Sequence, residues 1–291
     1  MALSVIVISY NAPTLERCLA SLSAQQDAGE IVVADCSAED PRPRLAGTYP
    51  RVRFLRFESK QSVPALRWAA LRETSGAIVG SVEARSVPAP DWCARMLAAH
   101  REFPAAPAVG GPIEIARPAR ARDLGLFLCE YGHVAPPLEP GAAAEISGAN
   151  VSYKRADLEA ATDVLEGGRW ETELHLRWQA LGRPLVLTDA AVTFENAMDL
   201  PTALRQRFAY GRGYAAARLP RGARPRRALY AAGGLALPLV LTARLARSLA
   251  AKGRGADFRR ALPWIALFSA VWSAGEIAGY ALGDSKDVRI Y

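Results

Sequence analysis

The first 35 residues contain the clearest pattern of apolar positions in the chain. Residues 3–11 and 30–35 form two short, nearly unbroken apolar runs, and each run stops at polar residues. Such runs are typical of strands buried on both faces of a parallel sheet. Between them, one face of a helix predicted over residues 14–25 carries apolar side chains at helical spacing: Leu15, Cys18, Leu19 and Leu22. This order predicts a right-handed βαβ unit.

Polar side chains stand where these two strands end. Ser9, Tyr10 and Asn11 close the first run, and Asp35 closes the second. Open α/β sheets bind their ligands beyond the carboxyl ends of the strands. We therefore expect the ligand site at these residues.

The rest of the first 200 residues predicts a larger sheet of the same kind. Apolar runs predict strands over 52–57, 76–82, 108–115, 184–187 and 191–194. Helical spacing predicts helices over 63–74, over 92–102 with Asp91 as the N-cap, from Ala156, and after Glu173 with Leu174, Trp178 and Leu181 inward. Small residues over 141–147 predict a flexible loop. The expected fold is α/β, with a mixed, mostly parallel sheet flanked by helices.

The charge of the chain is unevenly distributed. Of the 291 residues, 51% are hydrophobic, which is enough for a sizeable core, and the net charge is +7. Residues 201–262 contain fourteen Lys or Arg and one acid, Asp257, so the remainder is net negative. This asymmetry indicates an anionic partner, either nucleic acid or a membrane surface.

Two apolar runs lie within or beside this basic segment, over residues 229–243 and 261–282. A transmembrane helix needs about twenty apolar residues, so the second run is long enough and the first is marginal. Basic residues flank the first run on both sides, which places both flanks on the cytoplasmic face. We expect a re-entrant or interfacial first helix and a second that spans the membrane or packs beside it. The alternative is that the two runs form buried helices of a soluble bundle. Of the two possible anionic partners, the long Leu, Val and Ala runs favour a lipid membrane over nucleic acid.

Cysteine and histidine usage argues against a zinc site. The chain has three histidines and four widely separated cysteines: Cys18, Cys36, Cys93 and Cys129. We expect reduced, mostly buried thiols in a cytosolic compartment. The first apolar run lacks a basic segment before it, so it predicts a strand and not a signal peptide.

Five motifs occur in an order that resembles one enzyme family. They are SVIVISYN at 4–11, EIVVAD at 30–35, an acidic residue after a buried strand followed by PAPDW at 88–92, SGANVSYKR at 147–155, and WETE at 170–173. Over residues 3–215 the chain resembles the family 2 glycosyltransferases of the GT-A fold. QRFAYGR at 206–212, together with the two apolar runs, resembles the membrane-associated bacterial members.

This resemblance implies a division of the chain. A catalytic domain would cover residues 1–200, with a nucleotide-binding half over 1–105 and an acceptor half over 106–200. A basic amphipathic linker helix would follow over 201–228, and a hydrophobic helical hairpin over 229–291.

The resemblance also implies a donor site at the strand ends. Asp35 would accept a hydrogen bond from a ring N–H of the base, with Ser9, Tyr10 and Asn11 lining the same pocket and Tyr10 stacking on the base. Arg67 would bring positive charge to the nucleotide. The alternatives are a turn-capping role for Asp35 and a solvated helix-face position for Arg67.

The metal-binding motif of the family is altered in this chain. Family members place Asp-x-Asp after the fourth strand to hold Mg²⁺ or Mn²⁺ against the diphosphate, but the aligned triplet is Glu83-Ala84-Arg85, and Phe194 replaces a family histidine. In one hypothesis Arg85 partly or wholly replaces the metal, because a guanidinium binds phosphate oxygens directly, while Glu83 binds ribose or a residual ion. In the other, Glu83 and the diphosphate hold a metal and Arg85 points away.

The catalytic and acceptor residues are likewise implied by the resemblance. Glu171 would be the general base that deprotonates the acceptor hydroxyl in an inverting transfer; the alternative is a favourable interaction with a helix dipole. Gly148 and Asn150 would close over donor and acceptor, and Trp170 and Glu173 would contact the acceptor.

Three further candidates lie in the basic helix before the apolar runs: Gln206, Arg207 and Arg212. They would contact a lipid phosphate or the leaving diphosphate. The alternative is a surface helix that adsorbs to anionic lipid and takes no part in catalysis.

These observations predict an inverting glycosyltransferase at the cytoplasmic face of the cell membrane. Its partners would be a nucleotide-sugar donor, with UDP favoured, a lipid-linked or surface-glycan acceptor and an anionic membrane, but not nucleic acid. The alternative is a nucleotide-sugar-binding partner subunit with little or no transfer activity, because the Asp-x-Asp motif is lost.

Overall fold

The computed structural model describes residues 3–167, 171–196, 198–218 and 224–282, apart from the side chains of residues 172, 216, 217, 224 and 225. Its strands are β1 (Leu3–Ser9), β2 (Ala28–Asp35), β3 (Val52–Arg56), β4 (Ile78–Glu83), β5 (Ser86–Pro88), β6 (Ala108–Gly110), β7 (Ile113–Ile115), β8 (Gly141–Ala143), β9 (Asn150–Lys154), β10 (Leu185–Leu187) and β11 (Val192–Phe194). Its helices are α1 (Leu15–Ser23), α2 (Arg42–Leu45), α3 (Val63–Arg72), α4 (Trp92–Glu102), α5 (Ala121–Tyr131), α6 (Arg155–Glu159), α7 (Thr162–Glu166), α8 (Thr172–Ala180), α9 (Leu200–Arg218), α10 (Arg224–Gly233), α11 (Leu237–Ala251) and α12 (Gly255–Leu282).

The backbone divides into two compact units. Unit 1 runs through Met1–Ala116 and Val134–Ala197 and contains the strands, and unit 2 runs through Arg117–His133 and Met198–Tyr291. Helix α5 therefore groups with the C-terminal helices, although the sequence pattern placed it within residues 1–200. The reason is its packing, since a β-carbon at Gly125 of α5 would lie 2.6 Å from Cβ of Trp264 in α12.

Unit 1 is built on an eight-stranded sheet in the order β3-β2-β1-β4-β9-β6-β10-β8. Strands β3, β2, β1 and β4 run parallel, whereas β9 is antiparallel to both β4 and β6. Every residue of β1 is buried, as expected for a central strand covered on both faces. The predicted mixed, mostly parallel α/β sheet is confirmed. A second, three-stranded sheet has the order β5-β11-β7, and in it Ser86 lies opposite Phe194.

The register of the parallel strands sets the position of the candidate site. Ser9 lies opposite Asp35, Asp35 lies opposite Arg56, and Ile8 lies opposite Glu83. The carboxyl ends of β1 to β4 therefore meet at one edge of the sheet, and their polar end residues become neighbours.

Three local predictions are wrong, and a fourth holds in position only. The stretch 108–115 is two strands in different sheets, separated at Pro112, and the stretch 141–147 contains β8, which pairs antiparallel with β10. Asp91 is the N-cap residue of α4 as predicted, but its side chain makes no capping hydrogen bond and instead pairs with Arg95 at 2.6 Å. Leu181 is 69% exposed because α8 ends at Ala180, while Leu174 and Trp178 are buried as predicted.

Unit 2 is a group of helices in which α12 packs closely on α9. A β-carbon at Gly275 would collide with the Phe208 backbone, and one at Gly279 would lie 2.8 Å from Cβ of Ala215. This small-x-x-x-small spacing lets two helix backbones approach each other.

Among the described helices, α12 is long and apolar enough to cross a membrane by length and composition. Residues 226–233 and 237–251 pass the same test only as a pair bent by 62°. The predicted apolar run 229–243 is therefore broken into α10 and α11, at a point where Gly233 and Gly234 weaken the helix.

The expected burial of the thiols holds for three cysteines. Cys18, Cys36 and Cys93 are buried and Cys129 is half-buried, all as free cysteines. Burial raises the pKa of Cys18 and of Cys93 to about 12, so neither forms a reactive thiolate at neutral pH.

Candidate active site

Asp35 is the centre of a hydrogen-bonded group at the end of β2. Its carboxylate is 1% exposed and accepts from Arg56 Nη1 at 2.7 Å, from Ser37 Oγ at 2.6 Å and from the Ser37 backbone N–H at 3.2 Å. The last bond is the turn-capping role that the sequence left open. A carboxylate has about four acceptor sites, so one site remains for a ligand N–H.

The turn after β1 holds the other predicted donor residues beside this group. Asn11 has φ +46°, a left-handed conformation that asparagine tolerates. Its backbone N–H donates to Ser37 Oγ at 2.7 Å, and its side chain accepts a backbone N–H from the same segment. Lys60 Nζ lies 5.0 Å from the centre of the Tyr10 ring. Ser9 is buried, and within the described residues its hydroxyl has no hydrogen-bond partner.

The residues that depart from the family motif contact one another. Arg85 Nη2 lies 3.2 Å from Glu83 Oε2, and the Arg85 guanidinium carbon lies 5.2 Å from the centre of the Phe194 ring. A guanidinium over an aromatic face is a favourable cation–π contact. In the structure, Arg85 therefore contacts Glu83 directly.

The protein groups around Glu83 do not by themselves form a complete site for a divalent cation. Mg²⁺ and Mn²⁺ take several oxygen ligands, yet across the described ranges no three His, Cys, Asp or Glu side chains are grouped to hold one. The Glu83 carboxylate is already paired with Arg85. The charge of that guanidinium would repel a dication at the same oxygens.

A second cluster joins three predicted residues that are far apart in the sequence. Arg67 on α3 is 1% exposed; its Nη1 forms an ion pair with Glu171, and its Nη2 donates to the Gly148 carbonyl at 2.8 Å. The carboxyl group of Glu171 lies against Gly148, because a β-carbon at that position would overlap it. The alternative of a solvated helix-face Arg67 is therefore wrong.

Glu171 is held in an unusual backbone conformation at the start of α8. Its φ is +44°, and its side chain makes no capping hydrogen bond to the helix. Non-glycine residues keep such a conformation only where their surroundings fix it, and these positions cluster at functional sites. The side chain is 34% exposed, so a ligand can reach the carboxylate.

A buried histidine supports this turn. The backbone N–H of His175 donates to the Glu171 carbonyl at 2.8 Å, and Nε2 of the His175 ring lies 3.3 Å from the Tyr153 hydroxyl. Burial, and then the nearby charge of Arg67, lower the pKa of His175 to about 4. The ring is therefore neutral at pH 7 and does not compete with Arg67 for the carboxylate.

Comparison with known proteins relates the first part of the chain to a family. The family Glycosyl transferase family 2 matches residues 4–132, which include Asp35, Arg67 and the 83–85 triplet. This match covers less than half of the chain, and it identifies residues 4–132 as a glycosyltransferase domain of this type. No curated protein sequence matches it significantly.

Solved structures show that this glycosyltransferase has the GT-A fold. The mannosyltransferase PcManGT from Pyrobaculum calidifontis, in complex with GDP-Man and Mn²⁺, matches at TM-score 0.60 and 21% identity over 97% of this chain and 88% of its own. GalNAc-T7 with UDP, GalNAc and Mn²⁺ matches at TM-score 0.53 and 16% identity over 68% of this chain and 44% of its own. S. aureus TarS matches at TM-score 0.51 and 16% identity over 74% of this chain and 39% of its own.

Gly148 offers a direct test of the Glu171 position in the glycosyltransferase. In Gly148→Ala the new methyl group would displace the Glu171 carboxylate, so we expect the kcat for sugar transfer to fall about 100-fold. The control is Gly47→Ala, since a β-carbon at Gly47 meets nothing within 4 Å. Equal kcat in both variants would show that the reaction does not depend on this contact.

The side chain of Asn150 forms hydrogen bonds within the fold. It is fully buried; its Nδ2 donates to the carbonyls of Pro112 and Ala190 at 2.9 and 2.8 Å, and its Oδ1 accepts from Trp92 Nε1 at 2.7 Å. These bonds use both amide protons and tie β9 to α4 and to two loops. We therefore assign Asn150 to positioning the segment that carries Gly148, and not to contact with an acceptor.

The roles of the other acceptor and membrane candidates stay predictions. Trp170 lies outside the described residues, and Glu173 lies in the first turn of α8. Gln206, Arg207 and Arg212 belong to unit 2, and their roles stay predictions.

Sequence reasoning missed Arg56 and Lys60. Arg56 ends β3 directly opposite Asp35, and a cation at the end of a predicted neighbouring strand was the available signal. Lys60 lies in a loop after β3, and no local pattern relates it to Tyr10.

Proposed function

We propose that this protein transfers a sugar from a nucleotide-sugar donor to an acceptor hydroxyl with inversion at the anomeric carbon. The observation that carries the proposal is the partly exposed Glu171 carboxylate, held by the buried Arg67 against Gly148. The contacts with Arg67 and Gly148 hold the carboxylate in one position, from which it can accept a proton from a bound hydroxyl.

The reaction is a single displacement. Glu171 takes the proton of the acceptor hydroxyl while that oxygen attacks the anomeric carbon from the face opposite the diphosphate. The new glycosidic bond forms as the bond from the anomeric carbon to the diphosphate oxygen breaks. The nucleoside diphosphate leaves with the electron pair, and the proton stays on Glu171 until solvent removes it.

The donor base would bind at Asp35. The remaining acceptor site of this carboxylate suits a ring N–H, which uracil and guanine carry and which neutral adenine and cytosine lack. Tyr10 would stack on the base, and Asn11 fixes the turn that carries it. A UDP-sugar is the favoured donor, with a GDP-sugar as the competing candidate.

The diphosphate would bind at Arg85, in place of a metal. The guanidinium is oriented by Phe194 and Glu83 and offers parallel N–H donors that match phosphate oxygens. This arrangement neutralises the leaving group directly, so donor binding would not require Mg²⁺ or Mn²⁺.

The acceptor would be lipid-linked or part of a surface glycan, at the cytoplasmic face of the membrane. The support is the apolar helix α12 and the basic residues that precede it. A soluble acceptor would give no reason for this composition.

Thermal unfolding of the full chain in detergent tests the donor assignment. UDP-, GDP- and ADP-sugars are each added with Mn²⁺ and with EDTA, and a ligand at a hundred times its Kd stabilises the fold by about 2.7 kcal/mol. We expect stabilisation by a UDP-sugar, or by a GDP-sugar, that survives EDTA. Stabilisation by ADP-sugars alone would contradict the role of Asp35, and stabilisation only with Mn²⁺ would contradict that of Arg85.

A nucleotide-sugar-binding partner subunit without transfer activity is the second candidate function, favoured by the altered metal motif. Both candidates predict donor binding. They differ in the release of nucleoside diphosphate, which only an active enzyme shows.

A further inference from the structure

Unit 2 encloses a cavity of about 370 Å³ that the glycosyl-transfer mechanism does not use. Three arginines line it, Arg207, Arg218 and Arg244, together with three leucines of α11, Leu237, Leu241 and Leu245. Arg218 and Arg244 are exposed, so the cavity opens to the surface of unit 2.

Arg207 points to the chemistry of the ligand. It is 5% exposed, its guanidinium carbon lies 4.6 Å from the Trp272 ring, and its Nε has no hydrogen-bond partner among the described residues. A buried donor without a partner is unfavourable. An oxygen of a ligand in the cavity would satisfy it.

The charge of the lining favours an anion. Among the described residues that line the cavity, the one carboxylate is that of Glu276. Its oxygens accept from Trp272 Nε1 at 2.6 Å and from the Tyr280 hydroxyl at 3.3 Å. Three guanidinium groups therefore face one carboxylate that has donors of its own. A dianionic phosphate group matches this excess, and guanidinium groups bind phosphate through paired N–H donors.

The leucines of α11 form an apolar wall of the cavity, which favours a ligand with an apolar part as well as a phosphate group. The three leucines of α11 are spaced by four residues and so form one face of that helix. Beyond them the surface stays apolar, since Leu235, Leu239 and Val240 are 80%, 77% and 49% exposed. A free phosphate ion would leave this wall unused, whereas a lipid would place its acyl chains along it.

We propose that this cavity binds a lipid with a terminal phosphate group, through Arg207 and Arg244 at the headgroup and α11 along the chains. The proposal extends the membrane association proposed above. It does not involve the transfer reaction, so it can fail while the donor-binding result stands.

Native mass spectrometry of the full chain in non-ionic detergent tests this proposal, with phosphatidic acid and phosphatidylglycerol of the same acyl chains as probes. We expect phosphatidic acid to bind about tenfold more tightly, because its phosphate is terminal and carries more charge. Equal binding of the two lipids would show that the protein attracts anionic lipids only through its general surface charge, and it would overturn the proposal. Inorganic phosphate that binds as tightly as phosphatidic acid would overturn the lipid assignment.

Two arginines of α11 provide a matched pair of variants. Arg244 lines the cavity and Arg247 does not, and both are exposed, so neither substitution threatens folding. Arg244→Gln should weaken phosphatidic acid binding about tenfold, and Arg247→Gln less than twofold. Arg207→Lys keeps the charge but removes the Nε donor, and it should also weaken binding. Equal effects of Arg244→Gln and Arg247→Gln would contradict the site.

Discussion

Replacing Glu171 with glutamine should lower the kcat for sugar transfer by about 10²- to 10⁴-fold, the contribution typical of a general base. The amide has nearly the same shape as the carboxylate but cannot accept the proton of the acceptor hydroxyl. Donor binding should be retained, because Asp35 and Arg85 belong to a different cluster. Release of nucleoside diphosphate, measured with saturating donor, gives the rate.

The matched control is Glu166→Gln, which changes an exposed glutamate at the end of α7. It should leave kcat within about twofold, as is usual for surface substitutions. Arg67→Gln should resemble Glu171→Gln, because it removes the group that orients the carboxylate, and the double variant should be no worse than either single one. Unchanged activity in Glu171→Gln would remove Glu171 as the base. The partner-subunit alternative would be favoured if cells with Glu171→Gln functioned like the wild type and the purified wild-type protein showed no measurable transfer.

Replacing Arg85 with alanine should weaken donor binding about 10- to 100-fold, since a hydrogen bond to a charged group contributes about 1.5–3 kcal/mol. In the wild type, the donor Kd should be the same in EDTA and in Mn²⁺. In Arg85→Ala, binding should become weaker in EDTA because no group is left to neutralise the diphosphate. Isothermal titration of the full chain with the donor found in the thermal panel measures both effects.

The substitution Arg85→Asp makes this test sharper. It restores an Asp-x-Asp-like pair of carboxylates with Glu83, so we expect donor binding to become dependent on Mn²⁺. Arg53→Ala is the control, because Arg53 on β3 is exposed and pairs with Glu73 at 3.2 Å. A wild-type Kd that rises sharply in EDTA would contradict the replacement of the metal by Arg85.

The parallel core of unit 1 follows from local pattern. Continuous apolar runs such as Leu3–Ser9 specify strands covered on both faces, and the helix between β1 and β2 follows from apolar spacing. The failures are at short or irregular elements. The strand β8 consists of Gly141, Ala142 and Ala143, which carry no apolar alternation, and it exists only because β10 offers a free edge.

The candidate site also has a part that the sequence predicts and a part that it does not. The motifs identified Asp35, Glu83 and Glu171 as individual residues, but no motif related Arg67 to Glu171, which are 104 positions apart. The position of Arg67 depends on the packing of α3, which buries its guanidinium and leaves Glu171 and Gly148 as its partners.

The sequence by itself determined the sheet-forming runs, the family resemblance and the loss of the second metal carboxylate at Arg85, because each of these is written in neighbouring residues. Tertiary structure alone decided that Arg85 stacks on Phe194, that Arg67 pairs with Glu171 and that α5 joins the C-terminal helices. These contacts join segments tens to more than a hundred residues apart. Their geometry is fixed by strand register and helix packing, which local patterns of polarity do not encode.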